Sequence, residues 1–388
     1  MNAPRTAWGG VTIAFLAGVA AATALAKASP AAPALQATLG LSLAQVGWVM
    51  ALGTLATAVL GVASGSLSTR YGPRALAIAG AGVLVAAGAA GALSPAAPAL
   101  LGARAVEGLG VILITVAAPA LIAAQTRPAD LGMAMGVWAL WMPAGSLVVL
   151  LLAPSLVAVG SWRVLWALSA LAALAVLPAL ARLPAPVRGG PRPPAMAVLG
   201  QAGPWLLAVV FACFSLQFFS VFTFLPTLLA AHAGFDAAGA ARAAALVPAA
   251  IIPGNLLGGW LVQRGAAPWR VMVLPALALM VLGPAVLAAP LPAAGMLTVL
   301  AVYGLVLGIV PTAIFVQAPR LAGPGGGAPA VLGLAMSGQG VGILCGPPLA
   351  GALLERTGPP GAAGLVAAAL AVLIAAALGL RAVTAQGG

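Results

Sequence analysis

Long apolar runs separated by short polar breaks make up almost the whole chain. A helix needs roughly 20 mostly apolar residues to cross the hydrocarbon core of a bilayer. Cutting the sequence at its charges, its Pro/Gly clusters and its turn-like pieces leaves twelve such runs: 8–32, 43–67, 75–93, 97–124, 130–158, 162–181, 204–230, 239–262, 270–289, 293–317, 330–353 and 360–381. The first of them could pass for the core of a signal peptide, but it is long and many further runs follow, so it is read as a retained first span. The least apolar connection, Arg182 to Gln201, carries three Arg and a dense set of Pro. It reads as a stiff cationic linker. The pattern therefore predicts an all-α membrane protein of twelve transmembrane helices: a six-helix bundle over 1–181, a linker over 182–203 and a second six-helix bundle over 204–388.

Composition closes off the alternatives. Of 388 residues, 63% are hydrophobic and 5% charged, and only 4 are acidic, whereas a soluble domain carries roughly 25% charged residues. Too few charges exist to cover a water-exposed shell, so the exterior faces lipid. The formal net charge of +12 does not mark a nucleic-acid binder, because the cations are scattered singly between apolar runs rather than clustered on one face. Their distribution instead sets an orientation. With the N-terminus inside, Arg5, Arg70, Arg74, Arg127, Arg182, Arg188, Arg192, Arg264, Arg270, Arg320 and Arg381 fall on the inner side. Only Lys27, Arg163, Arg242 and Arg356 fall outside, and short cytoplasmic loops retain Lys and Arg. Both termini are expected in the cytoplasm. Cys213 and Cys345 lie in apolar runs, which suits packing better than a disulfide or a metal.

The two halves repeat local patterns. Gly65-Ser-Leu-Ser-Thr-Arg70 after span 2 matches Gly259-Trp-Leu-Val-Gln-Arg264 after span 8, 194 residues on. Leu131-Gly-Met-Ala-Met135 matches Leu332-Gly-Leu-Ala-Met336 at the start of spans 5 and 11. Common order and spacing point to duplicated architecture.

On these residues the chain resembles the major facilitator superfamily (MFS). Gly65-Ser-Leu-Ser-Thr-Arg70-Tyr-Gly72-Pro-Arg74 is similar to its signature loop between spans 2 and 3, Gly-x-Leu-x-Asp-Arg-x-Gly-x-Arg. Arg104-Ala-Val-Glu107-Gly108-Leu-Gly110 in span 4 resembles its second motif. Pro30-x-x-Pro33-x-Leu35 and Leu39-Gly-Leu-Ser42 look like the junction of spans 1 and 2. The resemblance implies two pseudo-symmetric six-helix bundles that alternate access, with Gly65, Arg70, Gly72 and Arg74 as a gating motif. Thr69 stands where the family has an acid, which implies a weaker or differently made latch. Arg70 and Arg74 serve equally well as plain inside anchors.

Ionisable groups at membrane depth are costly and usually face a cavity or a partner. Arg104 and Glu107 are three apart on one helix and share a face. They form either a structural pair or a functional one, in which Arg104 binds an anion or assists proton transfer and Glu107 is the titrating, proton-coupling acid. Lys27, just before Ser29-Pro30, either snorkels to the interface or projects into a central cavity as an anion-binding charge. Phe211, Phe218 and Phe222 form an arc on span 7 with Ser215 beside them and Gln217 to one flank, a pattern common in packing. Trp138 and Trp141, with Met142, on span 5, Asn255 on span 8, Tyr303 on span 10 and Gln339 on span 11 each line a cavity or make one interhelical hydrogen bond. The substrate-binding candidates are thus Lys27, Arg104, Trp138, Trp141, Gln217, Phe218, Phe222, Asn255, Tyr303 and Gln339.

No nucleotide-cradling loop or metal-ligand spacing appears, and the one histidine, His232, sits in an outer loop. The expectation is a non-enzymatic, cofactor-free secondary active or facilitative transporter. It moves a small anionic solute, with or without protons, and works as a monomer in a bacterial cytoplasmic membrane. The cation before the span 1 proline and the lone Arg/Glu pair resemble the cyanate and nitroimidazole transporter branch. Gly338-x-Gly340-x-Gly342-x-x-x-Gly346-Pro347 in span 11 resembles a motif that exporters of the superfamily carry in span 5. A proton-coupled multidrug exporter is therefore the first alternative, and a transporter-like receptor that moves nothing is the second.

Overall fold

The computed structural model describes residues 6–61, 71–127, 130, 134, 137–184, 200–232, 234–288, 291–322 and 328–386, and every regular element among them is helical. Span 1 consists of α1 (Trp8–Ala26) and α2 (Ala28–Leu39), which meet at Lys27. Span 2 consists of α3 (Leu43–Ala51), a 3₁₀ turn at Leu52–Thr54 and α4 (Leu55–Leu60). Spans 3 to 6 are α5 (Pro73–Ala92), α6 (Ala97–Gln125), α7 (Trp141–Gly160) and α8 (Trp162–Arg182). Span 7 is α9 (Ala202–His232), and span 8 joins α10 (Ala237–Ala244) to α11 (Leu246–Gln263). Spans 9 to 12 are α12 (Pro268–Ala288), α13 (Ala293–Ala322), α14 (Ala328–Thr357) and α15 (Pro359–Gln386).

Eleven of the described helical segments are long and apolar enough to cross a membrane. The twelfth, α14, has the length at 30 residues but is diluted by Ser337, Gln339 and its row of glycines. Span 1 runs seven residues further than its expected end at 32. Pro30 falls in the first turn of α2, where the missing N–H has no intrahelical partner to lose, and Pro33 follows inside the helix. The helix stops only at Gly40, in the left-handed region at φ 63°. Ser42 then starts α3 with a capping box closed by Gln45. At the other end of the first half, the Thr6 hydroxyl and the Arg127 guanidinium hold the Asp130 carboxyl below its ordinary 3.8. That cluster ties the start of α1 to the end of α6, where Ala7 N–H donates to Gln125 O over 2.9 Å.

The glycines of α14 divide between two neighbours. A Cβ on Gly338, Gly342 or Gly346 would strike the backbone of α9 at Ala208, Ala212 or Leu216. One on Gly340 or Gly351 would strike span 2 at Ala58 or Leu43. Small residues four apart let helix backbones touch, so α14 packs on α9 within its own half and on span 2 across the seam.

Candidate functional site

The chemistry of the first half converges on three charged side chains buried together. Lys27, 0% exposed, sits at the α1–α2 junction. Its Nζ donates to Glu107 Oε1 at 2.6 Å and to Ser169 Oγ at 2.7 Å, and lies 4.8 Å from the centre of the Trp166 ring. Arg104 donates through Nε to Val49 O at 2.7 Å and through Nη1 to Ala24 O at 2.6 Å, and the same Nη1 also reaches Glu107 Oε2. Its Nη2, also buried, has no hydrogen-bond partner. The guanidinium occupies space that a side chain at Gly53 would fill, beside the 3₁₀ turn of span 2.

Lys27 therefore does not snorkel to the interface. A buried ammonium is tolerable only when paired and hydrogen-bonded, and the nearest acceptors lie inward, on spans 4 and 6. Glu107 is bidentate in effect, one oxygen to each cation. Two cations share one carboxylate, so the cluster keeps one formal positive charge and one unspent donor in a site closed to water. Such a site can do two things: attract an anion, and respond strongly to a proton on Glu107.

The remaining sequence candidates separate into other groups. Tyr303 OH donates to Gln217 Oε1 at 3.2 Å inside the second half, both side chains being fully buried, and Gln217 Nε2 is without a partner. Trp138 and Trp141 stack at 5.5 Å against Gly18 of α1. Phe218 and Phe222 stack at 5.2 Å, and Phe222 is buried. Asn255 and Gln339 are half-buried, and the Asn255 carbonyl accepts from Thr312 Oγ1 at 3.1 Å. Of the loop motif, Gly72 adopts φ 83° ahead of Pro73, and Arg74 donates to the Ala181 carbonyl at the end of α8. Gly65 and Arg70 lie outside the described residues, as does most of the 182–203 linker.

Sequence reading missed four participants. Ser169 and Trp166 complete the Lys27 site, three apart on α8, a spacing that puts them on one face. Ser29 donates to the Phe222 carbonyl at 2.7 Å and so links span 1 to span 7. Glu355, near the end of α14, accepts from the backbone N–H groups of Leu43 and Ala44 in span 2.

The profile of the Major Facilitator Superfamily matches residues 14–328. An uncharacterised MFS-type transporter of Mycobacterium tuberculosis, Rv1250, is 36% identical over 134 residues. That stretch is 34% of this chain and 23% of the relative, so the chain matches less than a quarter of that relative's length. The crystal structure of a bacterial homologue of the human lysosomal transporter Spinster, inward-facing and occupied, superposes with a TM-score of 0.77. It does so at 16% identity, over 97% of this chain and 96% of that one, a likeness of fold.

Proposed function

Because the chain belongs to the Major Facilitator Superfamily, and is thus a multi-pass membrane transporter, we propose that it is a secondary active carrier of a small anionic solute. In this reading two bundles, residues 1–181 and 204–388, rock about the linker between them in a bacterial cytoplasmic membrane, with both termini inside. The Lys27–Glu107–Arg104 cluster is its charge centre. The observation that carries the reading is the imbalance of that cluster: two buried cations on one carboxylate, with Arg104 Nη2 unpartnered.

The arrangement also gives the coupling a sign. Glu107 is the only acid that stands away from a helix end or a loop. Protonating it would leave Lys27 and Arg104 as two unneutralised like charges in a dry site. An anion that compensates them binds more tightly to the protonated form, and by linkage the anion raises the proton affinity of Glu107. Proton and anion then travel together.

The test is thermal stabilisation of the purified protein by small organic and inorganic anions, lipophilic cations and neutral metabolites, followed by flux in liposomes. A ligand that binds the folded state raises the transition by mass action. An anion should stabilise the wild type more at pH 5.5 than at pH 8, lose its effect in Lys27→Ala and Arg104→Ala, and lose its pH dependence in Glu107→Gln. Stabilisation by a lipophilic cation, indifferent to all three substitutions, would overturn the anion reading in favour of multidrug export. Ligand binding without flux would favour a receptor.

A further inference from the structure

A second cationic site lies far from the Lys27 cluster, at the end of the second half that carries the C-terminus. A cavity of about 1070 Å³ opens there between the start of α9, the turn before α12, the end of α13 and the end of α15. Every lining residue belongs to the second half, so the cavity is not part of the seam between halves. It sits where four spans reach their ends, the depth at which lipid headgroups lie.

Its lining is positive and aromatic. Arg320 and Arg381 both line it, and Trp269 forms part of the wall. The Trp269 ring holds two guanidiniums, that of Arg381 at 4.8 Å and that of Arg270 at 5.3 Å. Stacking on an indole orients a guanidinium but does not neutralise it. No acid is at hand to do so. Of the four acidic residues in the chain, Glu107 is inside the first half, Asp130 follows α6, Asp236 caps α10, and Glu355 is at the far end of α14. Gln317 lines the same cavity, is 6% exposed, and its amide has no hydrogen-bond partner among the described residues. The N-terminal ends of α9 and α12 also open onto it, adding the positive ends of two helix dipoles.

We propose that this cavity binds a phosphate-bearing anion, held by Arg320 and Arg381 with Gln317 as a neutral donor and Trp269 as the platform that fixes Arg381. An anionic phospholipid headgroup and a free phosphate compound share that chemistry, and the experiment separates them. The detergent-purified full chain is titrated with phosphatidylglycerol or phosphatidylcholine and followed by native mass spectrometry. Inorganic phosphate and glycerol phosphate are tested in parallel by thermal shift and as competitors.

Each basic residue near an anionic lipid surface contributes about fivefold in affinity, so Arg320→Gln/Arg381→Gln should weaken phosphatidylglycerol binding roughly 25-fold. Arg74→Gln, in the other half, should leave it unchanged. Should the double variant fail to fold, Gln317→Leu keeps every charge and should still weaken binding severalfold. Preference for phosphatidylglycerol without competition by phosphate assigns a lipid headgroup, and competition assigns a free phosphate compound. Equal uptake of the two lipids with no phosphate stabilisation overturns the proposal, as does an equal loss in Arg74→Gln.

Discussion

At the scale of single residues, the Lys27–Glu107–Arg104 cluster makes unequal demands on its members. Removing the carboxylate leaves two cations buried together, whereas removing Lys27 leaves a balanced Arg104–Glu107 pair. Breaking a buried ion pair by deleting one partner costs roughly 3–5 kcal/mol. Glu107→Gln should therefore lower the thermal midpoint far more than Lys27→Met, and adding Lys27→Met to Glu107→Gln should recover much of the loss. Thermal unfolding of the three variants checks this, and an additive double variant would show that the groups do not share one charge balance. The Arg104–Glu107 half of the cluster was legible from sequence, because a spacing of three on a helix fixes a shared face. Lys27 was not, since its partners lie 80 residues away on α6 and 142 residues away on α8. Which way it points depends on the rotation of α1 against those helices, and apolar residues all round a span leave that rotation unmarked.

The element scale shows where the duplication survives and where it has diverged. In the first half, a Cβ on Gly88 of α5 would meet Ala170 of α8 and come within 3.5 Å of Glu107. In the second half, a Cβ on Gly283 of α12 would meet Val366 of α15 and come within 4.0 Å of Tyr303. Glu107 and Tyr303 thus hold matching places on the fourth helix of each half, one charged and one neutral. The charge centre belongs to one half alone, as an asymmetric coupling mechanism requires. Span positions were legible because each must supply its own apolar length. The division of labour among the α14 glycines was not, since a row of small residues announces close packing without naming the neighbour. That division is testable. Gly342→Leu faces α9 and should unfold the second half at lower temperature. Gly340→Leu faces Ala58 and should change the seam, abolishing flux while the thermal midpoint falls less. Equal losses of stability in both would contradict the assignment of two faces.

At the scale of the whole molecule, what matters is how the halves are held where α14 ends and span 2 begins. There the Glu355 carboxylate accepts from Leu43 and Ala44 N–H, so a side chain of one half caps a helix of the other. An anionic acceptor at a helix N-terminus satisfies donors that the helix cannot, and is favoured by its dipole. Nearby, Ser29 reaches the Phe222 carbonyl across the same divide. These contacts join residues more than 190 apart in sequence, and Glu355 reads in the sequence only as a charge at a helix end. If alternating access separates the halves at this end, the cap must break in each cycle, and weakening it should favour the open state. A thiol at Ser29→Cys, in a background without Cys213 and Cys345, then reports the opening through its labelling by a membrane-impermeant reagent. Glu355→Ala should speed that labelling severalfold. Glu355→Gln, whose amide oxygen still accepts both N–H groups though without the charge, should speed it less. Labelling unchanged in Glu355→Ala would mean that the cap is incidental and that the glycine seam between α14 and span 2 alone keeps this end closed.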